Sequence, residues 1–184
     1  RSLSTGTLVN AVQENYQNLA GVEERIRELL TESEVLHVDE TGMRVTGIRQ
    51  WLHVASTEHL TWYGYHRKRG NRATDDMQIL PWFKGTMVHD FWAPYFRYPS
   101  RHAICNAHLL RELNGISENY QHVWSEELHA LILEIKQEVD AARGYMCSIS
   151  PSKIADFEAR YFRILEKGLN EIPPPDIPES KEKR

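Results

Sequence analysis

Val35-Leu36-His37-Val38-Asp39 is a short β-prone run that ends in an acid, and Gly85-Thr86-Met87-Val88-His89-Asp90 repeats that pattern further along the chain. Both are short apolar runs bounded by turn formers, as buried strands are. Between them, Arg44-Val45-Thr46, Gln50-Trp51-Leu52-His53-Val54-Ala55 and Leu60-Thr61-Trp62-Tyr63-Gly64-Tyr65 also read as strands. Glu40-Thr41-Gly42 supplies a turn after the first run, and Gly47-Ile48-Arg49 separates the next two. The prediction is a strand followed by an antiparallel meander. Asn71 to Ile79 is polar, carries Ala73 and Met77 at helical spacing and closes at Leu80-Pro81, which predicts a helix of two or three turns. Such a helix provides the crossover that a parallel strand requires, so the two acid-ending runs are expected to lie parallel.

Working outward, Phe91 to Phe96 is aromatic and predicts a short helix over the strand ends. Arg101-His102-Ala103-Ile104-Cys105 reads as a last strand, and His108 to Leu113 opens a helix. Upstream, Leu8, Val12, Leu19, Val22, Ile26, Leu29 and Leu30 recur at mostly helical spacing, giving one or two amphipathic helices capped by Ser4 or Thr5. Downstream, Leu128, Leu131, Ile132, Ile135 and Val139 form one stripe, and Phe157, Tyr161, Ile164 and Leu165 form another. Two antiparallel helices joined near Ser148 to Pro151 follow from this pattern. The tail, with Pro173, Pro174, Pro175 and Pro178 before a charged end, has the composition of a disordered or extended linker. The expected organisation is an N-terminal helical segment (1–34), a mixed α/β core (35–116), a helical unit (117–171) and the linker (172–184).

The chain has 184 residues, 41% of them hydrophobic, enough for one cored domain with a helical appendage. Its formal net charge of −4 excludes a freestanding nucleic-acid binder held by bulk positive charge. Any DNA contact has to be local. The strongest basic cluster is His66-Arg67-Lys68-Arg69-Gly70-Asn71-Arg72, with Arg97 and Arg101 as a second group; a solvated loop is the alternative. No apolar run approaches the ~20 residues that cross a bilayer, and the first residues hold no signal-peptide core, so a soluble cytoplasmic protein with no membrane partner is expected. Cys105 and Cys147 match no zinc or redox spacing, which leaves reduced thiols.

Asp39 and Asp90 are the residues that could carry chemistry. On neighbouring parallel strands their carboxylates would emerge at one edge of the sheet, where open α/β sheets place their sites. Two close carboxylates raise each other's pKa unless a cation neutralises them, and hard oxygen donors favour Mg²⁺ or Mn²⁺. Phosphoryl transfer on nucleic acid would follow. The competing reading is that an aspartate after a strand simply forms a turn or caps a helix. His37 shares the face of Asp39, whereas His89 and Glu40 point away from their neighbouring acids. Glu112, early in its helix, is the only well-placed third acid; its plainer role is to complement the helix dipole. His102, Cys105 and His108 suggest zinc by spacing, but a change from strand to helix would break their common face. Trp62, Trp82, Trp92 and Tyr95 could stack on bases or pack on the sheet.

Five blocks carry a more specific signal. His37-Val38-Asp39-Glu40-Thr41-Gly42, Trp51-Leu52-His53-Val54-Ala55-Ser56, Arg67-Lys68-Arg69-Gly70, Ile79 through Asp90 (Ile-Leu-Pro-Trp-Phe-Lys-Gly-Thr-Met-Val-His-Asp) and Cys105-Asn106-Ala107-His108-Leu109-Leu110-Arg111-Glu112-Leu113 follow in order at suitable spacing. Together they resemble the insertion sequence sixty-six family of bacterial transposases, over about Leu3 to Leu169. The resemblance implies a ribonuclease H-like mixed sheet flanked by helices, with a C-terminal helical insertion, and DDE chemistry on DNA. Hydrolysis at transposon ends would precede attack of the freed 3′-hydroxyl on target DNA.

In that scheme Asp39 matches the first acid and Asp90 the second, both as metal ligands. A two-metal Mg²⁺ or Mn²⁺ site is expected in the complete enzyme, acting as a homo-oligomer on DNA. The third acid of the family lies in a segment resembling Asn-Asn-x-Ala-Glu-Arg, which does not occur here, so the chain reads as a fragment with feeble or no activity alone. Two alternatives stay open: a self-sufficient metal-dependent nuclease using Asp39, Asp90 and Glu112, and an inactive DNA-binding or assembly module.

Overall fold

The computed structural model describes residues 3–144 and 148–173, and its chain divides into two compact units between Cys105 and Asn106. In the first unit, buried Leu36 and Val38 alternate with exposed Val35, His37 and Asp39 to form β1 (Val35–Val45). β2 (Ile48–Ser56) and β3 (Thr61–His66) continue antiparallel on one side of it. On the other side β4 (Thr86–His89) and β5 (Arg101–Ile104) run parallel to it, in the order β3-β2-β1-β4-β5. This mixed sheet, with helices in the same unit and a helical region after it, is the ribonuclease H-like architecture expected above.

One element differs from expectation in a way that moves the site. Glu40-Thr41-Gly42 is not a turn: it pairs with His53, Leu52 and Trp51 of β2, so Asp39 lies within β1 rather than at its end. The chain reverses instead at Thr46 and Gly47, whose φ values of 50° and 81° are the two left-handed positions of a tight two-residue hairpin. Gly42 lies against the Trp51 ring, and cross-strand pairing overrides its local turn preference. Beyond Gly42↔Trp51 neither β3 nor β4 accompanies the hairpin, so residues 43–50 form a two-stranded ribbon with Arg44 opposite Arg49.

Ser4 caps α1 (Thr5–Asn18), its hydroxyl accepting from the Thr7 amide at 3.2 Å, and α2 (Ala20–Thr31) follows, burying Leu30. α3 (Asn71–Asp76) stops short of Ile79, because Gln78 turns left-handed at φ 58° and Pro81 disfavours helix at Leu80. Ile79, Leu80 and Phe83 then join Leu30, Leu36, Val38, Ala55, Met87, Tyr95 and Tyr98 in the core. Gly85 lets β4 begin beside β1: a Cβ there would sit 2.4 Å from the Glu34 carbonyl oxygen and 2.7 Å from Phe83. A 3-10 helix, Ala93–Arg97, links β4 to β5.

The second unit holds α4 (Asn106–Tyr120), α5 (Val123–Ala142) and α6 (Pro151–Glu171). α5 and α6 are antiparallel, as their ion pairs show: Glu127 meets Lys167 at 2.7 Å, and Glu134 meets Arg160 at 2.8 and 2.5 Å. Leu128, Leu131 and Phe157 are buried in this unit. Among the described residues no helix is long and apolar enough to cross a membrane. Cys147 and residues 174–184 of the expected linker lie outside the described residues.

Candidate metal centre

The parallel pairing of β1 with β4 sets the geometry. Val35, Leu36 and His37 are level with Thr86, Met87 and Val88, and two further steps bring Asp39 level with Asp90, the residue after β4. Strand alternation puts both acids on the face opposite buried Leu36, Val38, Met87 and His89. β4 ends here while β1 continues along β2, so the pair lies at the carboxyl end of the parallel strands. Backbone amides orient each carboxylate: Asp39 Oδ1 accepts from Glu40 N at 2.8 Å, and Asp90 Oδ1 accepts from Trp92 N at 2.9 Å.

Behind the two acids the Tyr95 phenol is buried and donates to Glu40. Burial pushes its pKa up, and the charges of Glu40, Asp90 and Asp39 push it further. Two hard carboxylates on adjacent strands suit Mg²⁺ or Mn²⁺, since Mg²⁺ is commonly held by one or two carboxylates with substrate phosphates completing its shell. Among the described residues no group of three or more His, Cys, Asp or Glu side chains is arranged to hold a metal ion. What the first unit offers is therefore a pair. Glu112 lies exposed on α4 of the second unit.

The turn that carries Asp90 is held by a chain of histidines. The Phe91 amide donates to His89 Nδ1 at 3.1 Å, so that nitrogen is the acceptor and Nε2 carries the proton. His89 Nε2 then donates to His102 Nδ1 at 3.1 Å, and His102 Nε2 donates to the Tyr98 carbonyl at 3.1 Å. Burial pushes the His89 pKa down, which favours the neutral ring that this hydrogen bonding requires. With both its nitrogens engaged, His102 has none left for the zinc site its spacing suggested.

Glu40 is the residue that sequence reasoning passed over. It does point away from Asp39, but that direction is the core, and its side chain is fully buried. Arg69 binds it at 2.6 Å and the Tyr95 hydroxyl donates to it. The Arg69 guanidinium lies over Trp92 at 4.1 Å and Trp51 at 5.1 Å. Burial still raises the Glu40 pKa above the ordinary carboxylate value. The cross-strand neighbour of Glu40, His53, is buried too, and burial pushes its pKa down. The available signal was an acid on the core face of a strand, which requires a cation.

The basic cluster is accordingly divided. Arg69 faces inward, His66 and Arg72 approach Asp76 at 3.3 and 3.8 Å, and Arg67 and Lys68 are exposed. In the second basic group, Arg97 pairs with Asp75 at 3.0 Å. Of the aromatic candidates, Trp62 and Trp92 pack against the core, Tyr95 lies inside it, and Trp82 is exposed.

The profile of the Transposase IS66 family matches residues 1–181. No curated relative matches. Among solved structures, the chain is similar to the HTLV-2 integrase catalytic core domain in complex with magnesium. The dimeric form is 12% identical with a TM-score of 0.33, covering 49% of this chain and 75% of that one. The trimeric form is 15% identical with a TM-score of 0.34, covering 76% and 86%.

Proposed function

Because the chain belongs to the IS66 family of transposases, we propose that it is catalytic machinery for DNA strand cleavage and transfer in which Asp39 and Asp90 hold Mg²⁺ or Mn²⁺. The observation that carries this reading is the parallel register of β1 and β4, in which the paired residues His37 and Val88 each stand two positions before an acid, Asp39 and Asp90. When bound, the cation polarises a phosphodiester and acidifies a water or 3′-hydroxyl nucleophile. The chain's own residues prepare that position. The amides of Glu40 and Trp92 aim the carboxylates, and the His89–His102 chain holds the turn behind Asp90. Glu40, Arg69 and Tyr95 tie β1 to the segments that follow β3 and β4. With a net charge of −4, DNA is held locally, with exposed Arg67 and Lys68 as cations available to phosphates. In chemistry of this kind a second cation would share the site, and the enzyme would act as a homo-oligomer on transposon ends and target DNA.

Mn²⁺ binding followed by calorimetry, beside Mn²⁺-dependent nicking of labelled DNA, tests the assignment. Asp39→Asn and Asp90→Asn should each abolish Mn²⁺ binding while the circular dichroism stays unchanged, and Glu112→Gln should bind as the parent does. Undiminished Mn²⁺ binding in both aspartate variants refutes the site. Nicking that disappears in Glu112→Gln makes Glu112 the third acid and overturns the two-carboxylate reading.

A further inference from the structure

The turn after β4 has a feature that cation binding does not use. Phe91 takes φ 73°, a left-handed conformation rare for a bulky residue, yet its side chain leaves Phe91 60% exposed and outside the core cluster. Such conformations persist where their surroundings over-determine them, and they concentrate at functional sites. Here the Phe91 amide is bound by His89 Nδ1 at 3.1 Å and the next amide by Asp90 Oδ1 at 2.9 Å. The ring meets Phe96 edge-on, with centroids 4.8 Å apart. Phe96, itself 43% exposed, rests on His89 at 4.9 Å and His102 at 5.0 Å. The histidine chain thus supports two exposed rings, one of them adjacent in sequence to Asp90.

Glycine or asparagine would suit this backbone better, and little apolar area is buried in exchange. A solvent-facing π surface beside Asp90, the proposed cation ligand, is suited to stack an unpaired base, and stacking of this kind tolerates any sequence. We propose that Phe91, backed by Phe96, is the stacking platform for an unpaired nucleobase of the DNA strand whose phosphodiester lies at Asp90. The inference rests on the assignment of Asp90 to the metal site.

The test is binding of the full chain to a short fluorescent single-stranded DNA carrying 2-aminopurine, in Ca²⁺, a hard cation that neutralises the two carboxylates, with Mn²⁺ binding measured separately. Phe91→Gly should weaken binding about tenfold or more and reduce the 2-aminopurine stacking signal. It should leave the salt slope unchanged, because no phosphate contact is lost, and the unfolding midpoint should not fall. Phe91→Trp should bind as tightly as the parent. The proposal is overturned by parental affinity in Phe91→Gly, by a loss of binding that tracks a loss of stability, or by absence of single-strand binding in the parent. The metal assignment fails separately: Phe91→Gly keeps Mn²⁺ binding if that site is real, and Asp90→Asn keeps the dependence of base stacking on residue 91.

Discussion

Replacing Arg69 by methionine keeps aliphatic bulk between Trp51 and Trp92 but strips the cation from the buried Glu40 carboxylate. Breaking a buried pair from one side costs about 3–5 kcal/mol. Two features lower that figure: the Arg69 side chain is 39% exposed, so water carries part of the load, and Tyr95 still donates to Glu40. Protonation sets a ceiling on the electrostatic part. Keeping the carboxyl protonated at pH 7 against its reference value of 4.5 costs about 3.4 kcal/mol at ~1.36 kcal/mol per unit. Lost cation–π contacts add roughly 0.5–1 kcal/mol each. The expected penalty is therefore about 2–4 kcal/mol, or a fall of roughly 10–25 °C in the midpoint of the first unit.

The pH dependence has a definite sign. An acid whose folded pKa lies above its unfolded value contributes stability that is present below the unfolded pKa and is lost as pH rises through the folded one. Burial already raises Glu40 in the parent, and losing Arg69 raises it further. The penalty must then shrink at pH 5, where the protonation ceiling is only about 0.7 kcal/mol. Urea denaturation followed by tryptophan fluorescence at pH 5 and 7 reads this directly. Glu40→Gln combined with Arg69→Met should recover most of the loss. The reasoning is refuted if Arg69→Met costs no more than Arg67→Met, if the double variant is no better than the single, or if the penalty is equal at both pH values.

Gly85→Ala should destabilise the first unit by ~1–3 kcal/mol, since its Cβ would meet backbone oxygens of Ser33 and Glu34 that cannot swing aside; chemical denaturation measures it. In the second unit Leu131, 1% exposed, should cost ~2–5 kcal/mol on replacement by alanine, read as a fall in the thermal midpoint of helical circular dichroism. Arg160 holds the Glu134 carboxyl below its ordinary range, so its contribution is present above the unfolded pKa and is lost as pH falls through the folded one. Acidification should therefore weaken the α5–α6 pair, and Glu134→Gln should flatten that dependence in a midpoint-against-pH series.

Much of the sheet was legible because alternation and turn residues are local signals. The parallel relation of the Asp39 and Asp90 runs, the last strand at 101–104 and the antiparallel helix pair all follow from such patterns. The length of β1 did not, because Glu40-Thr41-Gly42 has the composition of a turn while its pairing with β2 is set by residues further on. For Glu40 the face was deduced correctly and the consequence was not. Its partner Arg69 is 29 residues away in a run that reads as solvated charge, and sequence shows charges without showing distances. Phe91 was hidden for a similar reason: its left-handed backbone is imposed by His89 and Asp90, with no glycine to mark it.

The unaccompanied ribbon of β1 and β2 also measures length. From Asp39 to Arg44 and Val45, five to six residues at ~3.4 Å each place the hairpin tip about 17–20 Å along the strand from the acid. Arg44 and Arg49 are cross-strand partners near that tip, and the hairpin holds each one: Arg44 donates to the Gly47 carbonyl at 3.2 Å, and the Arg49 guanidinium lies over the Trp51 ring at 5.8 Å. The unbroken β1–β2 ladder thus fixes the distance from Asp39 to the hairpin tip, so a shift at the tip is carried along β1 to the acid rather than absorbed by an intervening loop.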